Sequence, residues 1–151
     1  MTKYQSELRD IKYAEGFTIV EPVNLYECSF EENCFVGPFV EIQKGVTVGS
    51  NTRIQSHTFI CELVSIGQNC FIGHGVMFIN DKFTTGGPSG TPELWESTVI
   101  QNNVSIGSNS TILPVSICSN VVIGAGSVVT KDITEPGVYA GNPAKFIKGP
   151  A

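Results

Sequence analysis

From Val36 to Lys82 a bulky apolar residue returns at every sixth position: Val36, Ile42, Val48, Ile54, Ile60, Ile66, Ile72 and Phe78. A second series lies four places further into each hexad, at Val40, Val46, Thr52, Thr58, Val64, Cys70 and Val76. Glycine follows the first series at Gly37, Gly49, Gly67 and Gly73. A helix repeats at about 3.6 residues and a flat strand at about two, so a period of six fits neither. It predicts an all-β, single-stranded parallel β-helix, in which short strands turn a corner at each hexad. An antiparallel sandwich of alternating strands would not hold its phase through so many consecutive units.

The breaks in the pattern divide one domain, 1–151, into parts. Residues 1–29 lack the clean repeat and are expected to cap the open end, since a bare coil exposes strand edges. Coils are expected over 30–82 and 99–134. Between them, 83–98 reads FTTGGPSGTPELWEST, too rich in Gly and Pro for a regular strand. It predicts an external loop, read as functional against the alternative of a tolerated surface insertion. The repeat resumes at Ile100, Ile106 and Ile112, slips by one residue to Ile117 near Pro114, and recovers at Ile123 and Val129. Glu135-Pro136-Gly137 ends the stack, and 135–151 is expected to leave it as a short irregular arm.

Composition narrows the function. Of the 151 residues, 41% are hydrophobic and 15% charged, with a formal net charge of −5, which disfavours nucleic acid and anionic membrane as partners. No apolar run is long enough to span a membrane. Met1 to Asp10 carries no hydrophobic signal core, so a cytoplasmic location is expected. The five cysteines show no Cys-x-x-Cys spacing and read as free thiols, with Cys34 and Cys70 as small core fillers.

The hexads, the loop, the stretch VVIGAGSVVTKDI (Val121 to Ile133) and the tail AGNPAKFIKG (Ala140 to Gly149) resemble the left-handed β-helix acyltransferases. IQSHTFICE (Ile54 to Glu62) and FIGHGVMFIND (Phe71 to Asp81) resemble, within them, bacterial N-acetyltransferases of nucleotide-linked 3-amino sugars. The resemblance implies a left-handed triangular coil of three hexads, a homotrimer, acetyl-coenzyme A as co-substrate with no metal, and active sites between neighbouring subunits. The implied substrate is a dTDP- or UDP-linked 3-amino-3-deoxy sugar, for cell-surface glycan (lipopolysaccharide-type) biosynthesis.

With that coil, residues eighteen apart stack about 4.8 Å apart in height. Asn80 then lies over Glu62 at one edge. His74 lies over Ser56 at another edge, with His57 beneath Gly75. A threefold assembly that sets one edge against a neighbour's different edge unites His57 and His74 with Asn80, Asp81 and Glu62. The reaction needs a neutral amine attacking a thioester, a donor for the developing oxyanion and an acceptor for a proton. His57 or His74 suits the last role, unless the departing thiolate takes the proton. Asn80 suits the amine or the sugar hydroxyls, and His74, Glu62 and Asp81 the sugar. If the loop replaces no face, Ser108 lies above His74 and Ala125 above Ser108. Gly107, Ser108 and Ala125 then line a bare edge for the pantetheine arm, with Lys131 and Lys145 at its far end for the phosphates. Trp95 either anchors the loop or stacks on the nucleotide base.

Each of these residues has a bland alternative: a solvated corner histidine, an asparagine chosen for its turn, an ordinary surface lysine. Three functional rivals stand beside the main reading. A sugar O-acetyltransferase or a small-amine acetyltransferase of the same fold is the nearest. A zinc enzyme of the carbonic anhydrase type needs three histidines, and the chain holds two. A non-enzymatic structural β-helix leaves the loop and the Asn80-Asp81 turn without a purpose.

Overall fold

The computed structural model describes Met1 and residues 8–150, so residues 2–7 of the expected cap and Ala151 lie outside the described residues. The chain winds into a β-solenoid of about seven turns. Three sheets, parallel but for the last strand of the third, form the faces of a prism. Among the described residues the first face stacks seven strands, from Leu8–Arg9 through Phe59–Ile60 and Met77–Phe78 to Val128–Val129. The second stacks six, between Lys12–Tyr13 and Ser116–Ile117, and the third eight, from Thr18–Ile19 to Lys145–Lys148.

Both apolar series point inward. Ile42, Ile54, Ile60, Ile72 and Phe78 are completely buried, and so are Val46 and Val76 of the second series. Two buried threonines of that series spend their hydroxyls on carbonyls one coil on: Thr52 Oγ1 donates to Gly67 O at 2.9 Å and Thr58 Oγ1 to Gly73 O at 3.0 Å. A buried polar atom so paired costs little. Corners need a residue in the left-handed region, and one edge fills that place with a column of asparagines, Asn33, Asn51, Asn69, Asn103 and Asn120, all at positive φ.

The register records each break in the repeat. Arg53 pairs with Phe71 and Phe59 with Met77, eighteen residues on in each case. Across the loop the step becomes Phe71 with Ser105 and Ile72 with Ile106, so the insertion leaves the faces aligned. After Pro114 it shortens by one, Ile106 pairing with Ile123 and Ile112 with Val129.

Three expectations need correction. Coil pairing is already present at Leu8 rather than only from residue 30, since Leu8 pairs with Leu25 and Lys12 with Ser29. This first turn also covers the end of the core, Phe17 stacking on Phe30 with ring centroids 4.4 Å apart. The period was hidden there because Ile11, Phe17 and Ile19, at the end of the stack, are only half-buried. Coiling resumes one residue early, in strand Thr98–Ile100. The C-terminal arm is regular: Gly137–Ala140 adds in parallel to Val121–Ile123, and Lys145–Lys148 folds back antiparallel on it.

Candidate functional site

Two edges of the prism carry the residues of interest. On the first, Ser56 and His74 sit in successive coils, with Ser56 Oγ 2.9 Å from His74 Nδ1. A ring nitrogen held this way leaves Nε2 as the free end of an oriented imidazole. His57 occupies the adjoining corner at φ +64, and its exposed ring packs on Phe39 with centroids 4.9 Å apart. Both histidines are exposed.

The same edge continues above His74 as the spacing required. Asn109 donates its N–H to His74 O and Gly126 donates to Ser108 O, each at 2.8 Å, stacking Ser108 over His74 and Ala125 over Ser108. Small residues are obligatory at parts of this edge. A β-carbon on Gly73 would meet Ile106 O at 2.6 Å and Ser108 N at 2.8 Å, and one on Gly107 would meet the Ala125 backbone. Gly126 faces open space. The result is a bare ridge of backbone and short side chains, a surface a slender chain such as pantetheine can follow.

The arm closes this ridge. Gly141 donates its N–H to Ser127 Oγ at 3.1 Å and Ala144 donates to Val128 O at 2.8 Å, so exposed Lys145 follows where the ridge ends. Lys131 does not share this edge. Lying one hexad beyond Ala125, Lys131 falls at the next corner, in the column of Asn80 and Pro114, where neighbouring Asp132 Oδ1 accepts the Ser116 N–H at 2.8 Å.

On that second edge the half-buried Asn80 donates from Nδ2 to Glu62 O at 3.3 Å. A carbonyl only accepts, so the Asn80 amide must turn its NH2 to Glu62 and its Oδ1 away. The Asn80 carbonyl in turn accepts the Glu96 N–H at 2.9 Å, and Lys82 meets Glu96 at 2.8 Å, tying the two stems of the loop together. Asp81 is turned into the loop. Its carboxylate accepts the N–H groups of Phe83 at 2.9 Å and Ser89 at 2.7 Å and the Ser89 hydroxyl at 3.0 Å. The Ser89 and then the Phe83 N–H bonds hold its carboxyl below the ordinary carboxylate value.

Beside this turn the loop covers a cleft of about 320 Å³ on the first face, lined by Gln43, Phe59, Cys61, Asn80, Phe83 and Trp95 among others. Trp95 is half-buried there, following a 3₁₀ turn at Pro92–Leu94. Gln43 escaped the sequence reading. Its signal was phase alone: its N–H bonds to Ile60 O, which sets it at the edge of Cys61 and Asn80.

Within this single chain the His edge and the Asn80 edge are distinct. The five cysteines are free. Burial pushes Cys28 up to about 11 and Cys61 up to about 12, so neither is a ready nucleophile. Among the described residues no three His, Cys, Asp or Glu side chains gather in a manner that would hold a metal, and no helix is long and apolar enough to cross a membrane.

Known proteins resemble this chain along most of its length. Residues 63–77 and 97–131 match the hexapeptide repeat of succinyl-transferase, and residues 27–62 match the bacterial transferase hexapeptide of six repeats. The bifunctional protein GlmU of Streptococcus uberis is 30% identical over 149 residues, which is 95% of this chain and 29% of that relative. The chain therefore spans less than a third of the curated relatives it matches. A variant of AntD, an N-acyltransferase from Bacillus cereus solved with dTDP and coenzyme A, shares the fold with a TM-score of 0.73 and 22% identity, over 95% of this chain and 83% of that one. A maltose O-acetyltransferase from Clostridium difficile has a TM-score of 0.64 and 25% identity, over 91% of this chain and 71% of that one.

Proposed function

Since this chain belongs to the left-handed β-helix acyltransferases built on hexapeptide repeats, we propose that it moves an acetyl group from acetyl-coenzyme A to the amine of a nucleotide-linked 3-amino sugar. The observation that carries the reading is the oriented Ser56–His74 pair at the foot of a ridge kept bare by Gly107, Ser108 and Ala125. An imidazole for the proton and a track for the acyl donor lie on one edge.

The chain acts as a homotrimer in this reading. The His74 edge of one subunit meets the Asn80 edge of the next. Ser108, Ala125 and neighbouring Gly107 hold the pantetheine, and Lys145 meets the phosphates as a point charge. Lys131, on the other edge, takes no part within its own subunit. Acetyl-coenzyme A supplies the activated thioester. The sugar amine attacks its carbonyl carbon, a C–N bond forms, the C–S bond breaks and coenzyme A leaves. His74 Nε2 accepts the amine proton, with Ser56 fixing the ring. Asn80 Oδ1 accepts from the sugar amine and holds it for attack. Glu62 binds sugar hydroxyls, His57 borders the same cleft, and Asp81 keeps the Asn80 turn in place through the loop.

Support for a nucleotide-linked amine comes from the stretches Ile54 to Glu62 and Phe71 to Asp81, and from a protein of the same fold solved with dTDP and coenzyme A. A second reading, transfer to a sugar hydroxyl, is favoured by the likeness to the maltose O-acetyltransferase and by a histidine already oriented for a poor nucleophile. One assay separates them. Purified protein is given acetyl-coenzyme A with dTDP- and UDP-linked 3-amino sugars or with their 3-hydroxy counterparts, and the product mass is read. Acetylation of the amine alone carries the proposal; acetylation of the hydroxyl sugars alone replaces it with the second reading.

A further inference from the structure

The aromatic cleft beneath the loop has polar atoms whose orientation is fixed by chemistry. Glu41 accepts Asn24 Nδ2 at Oε2 and Gln43 Nε2 at Oε1, at 3.1 and 3.0 Å, and Arg9 donates to Asn24 Oδ1 at 3.1 Å. A carboxylate only accepts. The Gln43 amide must therefore turn its NH2 to Glu41 and present Oε1 elsewhere. Asn80 is fixed in the same sense by the Glu62 carbonyl. Two amides on one cleft both offer an oxygen, so the fitting occupant brings N–H donors.

The walls ask for a flat apolar body. Phe59 lies on the floor, Trp95 is half-buried, and Phe83 is exposed at 57%. Charge is scarce: Gln43 and Asn80 are neutral, and the Asp81 carboxylate is taken up by Phe83 and Ser89. A volume of about 320 Å³ lies within the range of small-molecule pockets.

We propose that this cleft is a nucleobase subsite, in which Trp95 and Phe83 stack on a pyrimidine base and Gln43 Oε1 accepts from its imide N–H. The inference rests on the nucleotide-sugar reading and assigns the base its place, with the sugar towards Asn80. Stacking on an aromatic side chain tightens binding of a base by roughly tenfold, enough to anchor the nucleotide.

Trp95 is the only tryptophan, so its emission reports on the cleft alone. The full chain is titrated with uridine and thymidine diphosphates and with inorganic pyrophosphate. Saturable quenching by the nucleotides but not by pyrophosphate is the expected result. Gln43→Leu, which removes the acceptor but keeps the bulk, weakens nucleotide binding roughly threefold to tenfold. Trp95→Ala raises the nucleotide-sugar KM about tenfold with kcat held, and Trp95→Phe restores it. Emission that ignores nucleotides, or that shifts only with protein concentration as a second copy covers Trp95, overturns the subsite. Acetyl transfer is measured separately. Transfer with a silent Trp95 rejects the subsite and spares the proposed reaction, whereas quenching without transfer does the reverse.

Discussion

The Ser56 hydroxyl meets His74 Nδ1 at 2.9 Å although the two residues are 18 positions apart, because one coil of the prism separates them. Ser56 is a positioning residue in the proposed chemistry: accepting from Nδ1–H, it leaves Nε2 free to take a proton. His74→Ala should lower kcat by about a hundredfold or more, the ordinary yield of a general base, with a smaller change in KM. Ser56→Ala should cost about tenfold, and the double variant should be no worse than His74→Ala alone, as expected of residues acting as one unit. A His74→Ala enzyme that keeps near-full kcat would pass the proton to the leaving thiolate instead.

Asp81 gives the loop a pH dependence. Hydrogen bonds from Ser89 and Phe83 depress its carboxyl below the ordinary carboxylate value of 3.8. Its contribution is complete above that value and disappears as pH falls through the lowered one. Proteolysis within 83–98 should therefore accelerate on acidification below about 3.8, with acid-tolerant pepsin as the probe. Asp81→Asn should show fast cleavage at every pH. An unchanged rate in that variant would detach Asp81 from loop order.

Close coil stacking makes Gly73 a demanding position. A β-carbon there meets Ile106 O at 2.6 Å and Ser108 N at 2.8 Å, both backbone atoms that cannot swing away. Gly73→Ala should cost about 1–3 kcal/mol, as overpacking does. At this size that lowers Tm by roughly 2–4 °C per kcal/mol. Gly149→Ala, with nothing within 4 Å, should melt unchanged. Equal melting of both variants contradicts the stacking.

The thiols should react in order of exposure. Half-buried Cys118 should label first in the native protein, and buried Cys28, Cys34, Cys61 and Cys70 only on unfolding. Burial also raises Cys61 from 9.0 to about 12, so its share of stability is full below about 9 and is lost as pH rises towards 12. Peptide mass mapping after brief alkylation checks the order; early labelling of Cys61 would mean that the loop opens freely.

Much of this was written in the period. The hexads of Val36 to Lys82 determine which residues stack, and they put Asn80 over Glu62 and His74 over Ser56 as observed. Phase survived the loop because the faces realign behind it, Ile72 with Ile106. It failed where residues stop being buried: the turn from Leu8 closes an end, and the hairpin at 137–148 uses sheet hydrogen bonds that need no apolar repeat. Lys131 was misplaced because the hexad that separates it from Ala125 turns the chain to the next edge rather than along the same one. Gln43 was in phase but carried no chemistry to single it out, and the Trp95 side of the cleft had no periodic signal, since an aperiodic loop forms the roof.

The stems of the 83–98 insertion are tied by the Asn80 carbonyl and Glu96, while the coils above and below keep step. Scaffold and roof are thereby uncoupled. Natural variation or laboratory grafting can rewrite the roof between those two anchors, and with it the cleft proposed for the nucleobase, without disturbing the winding that stores the stability.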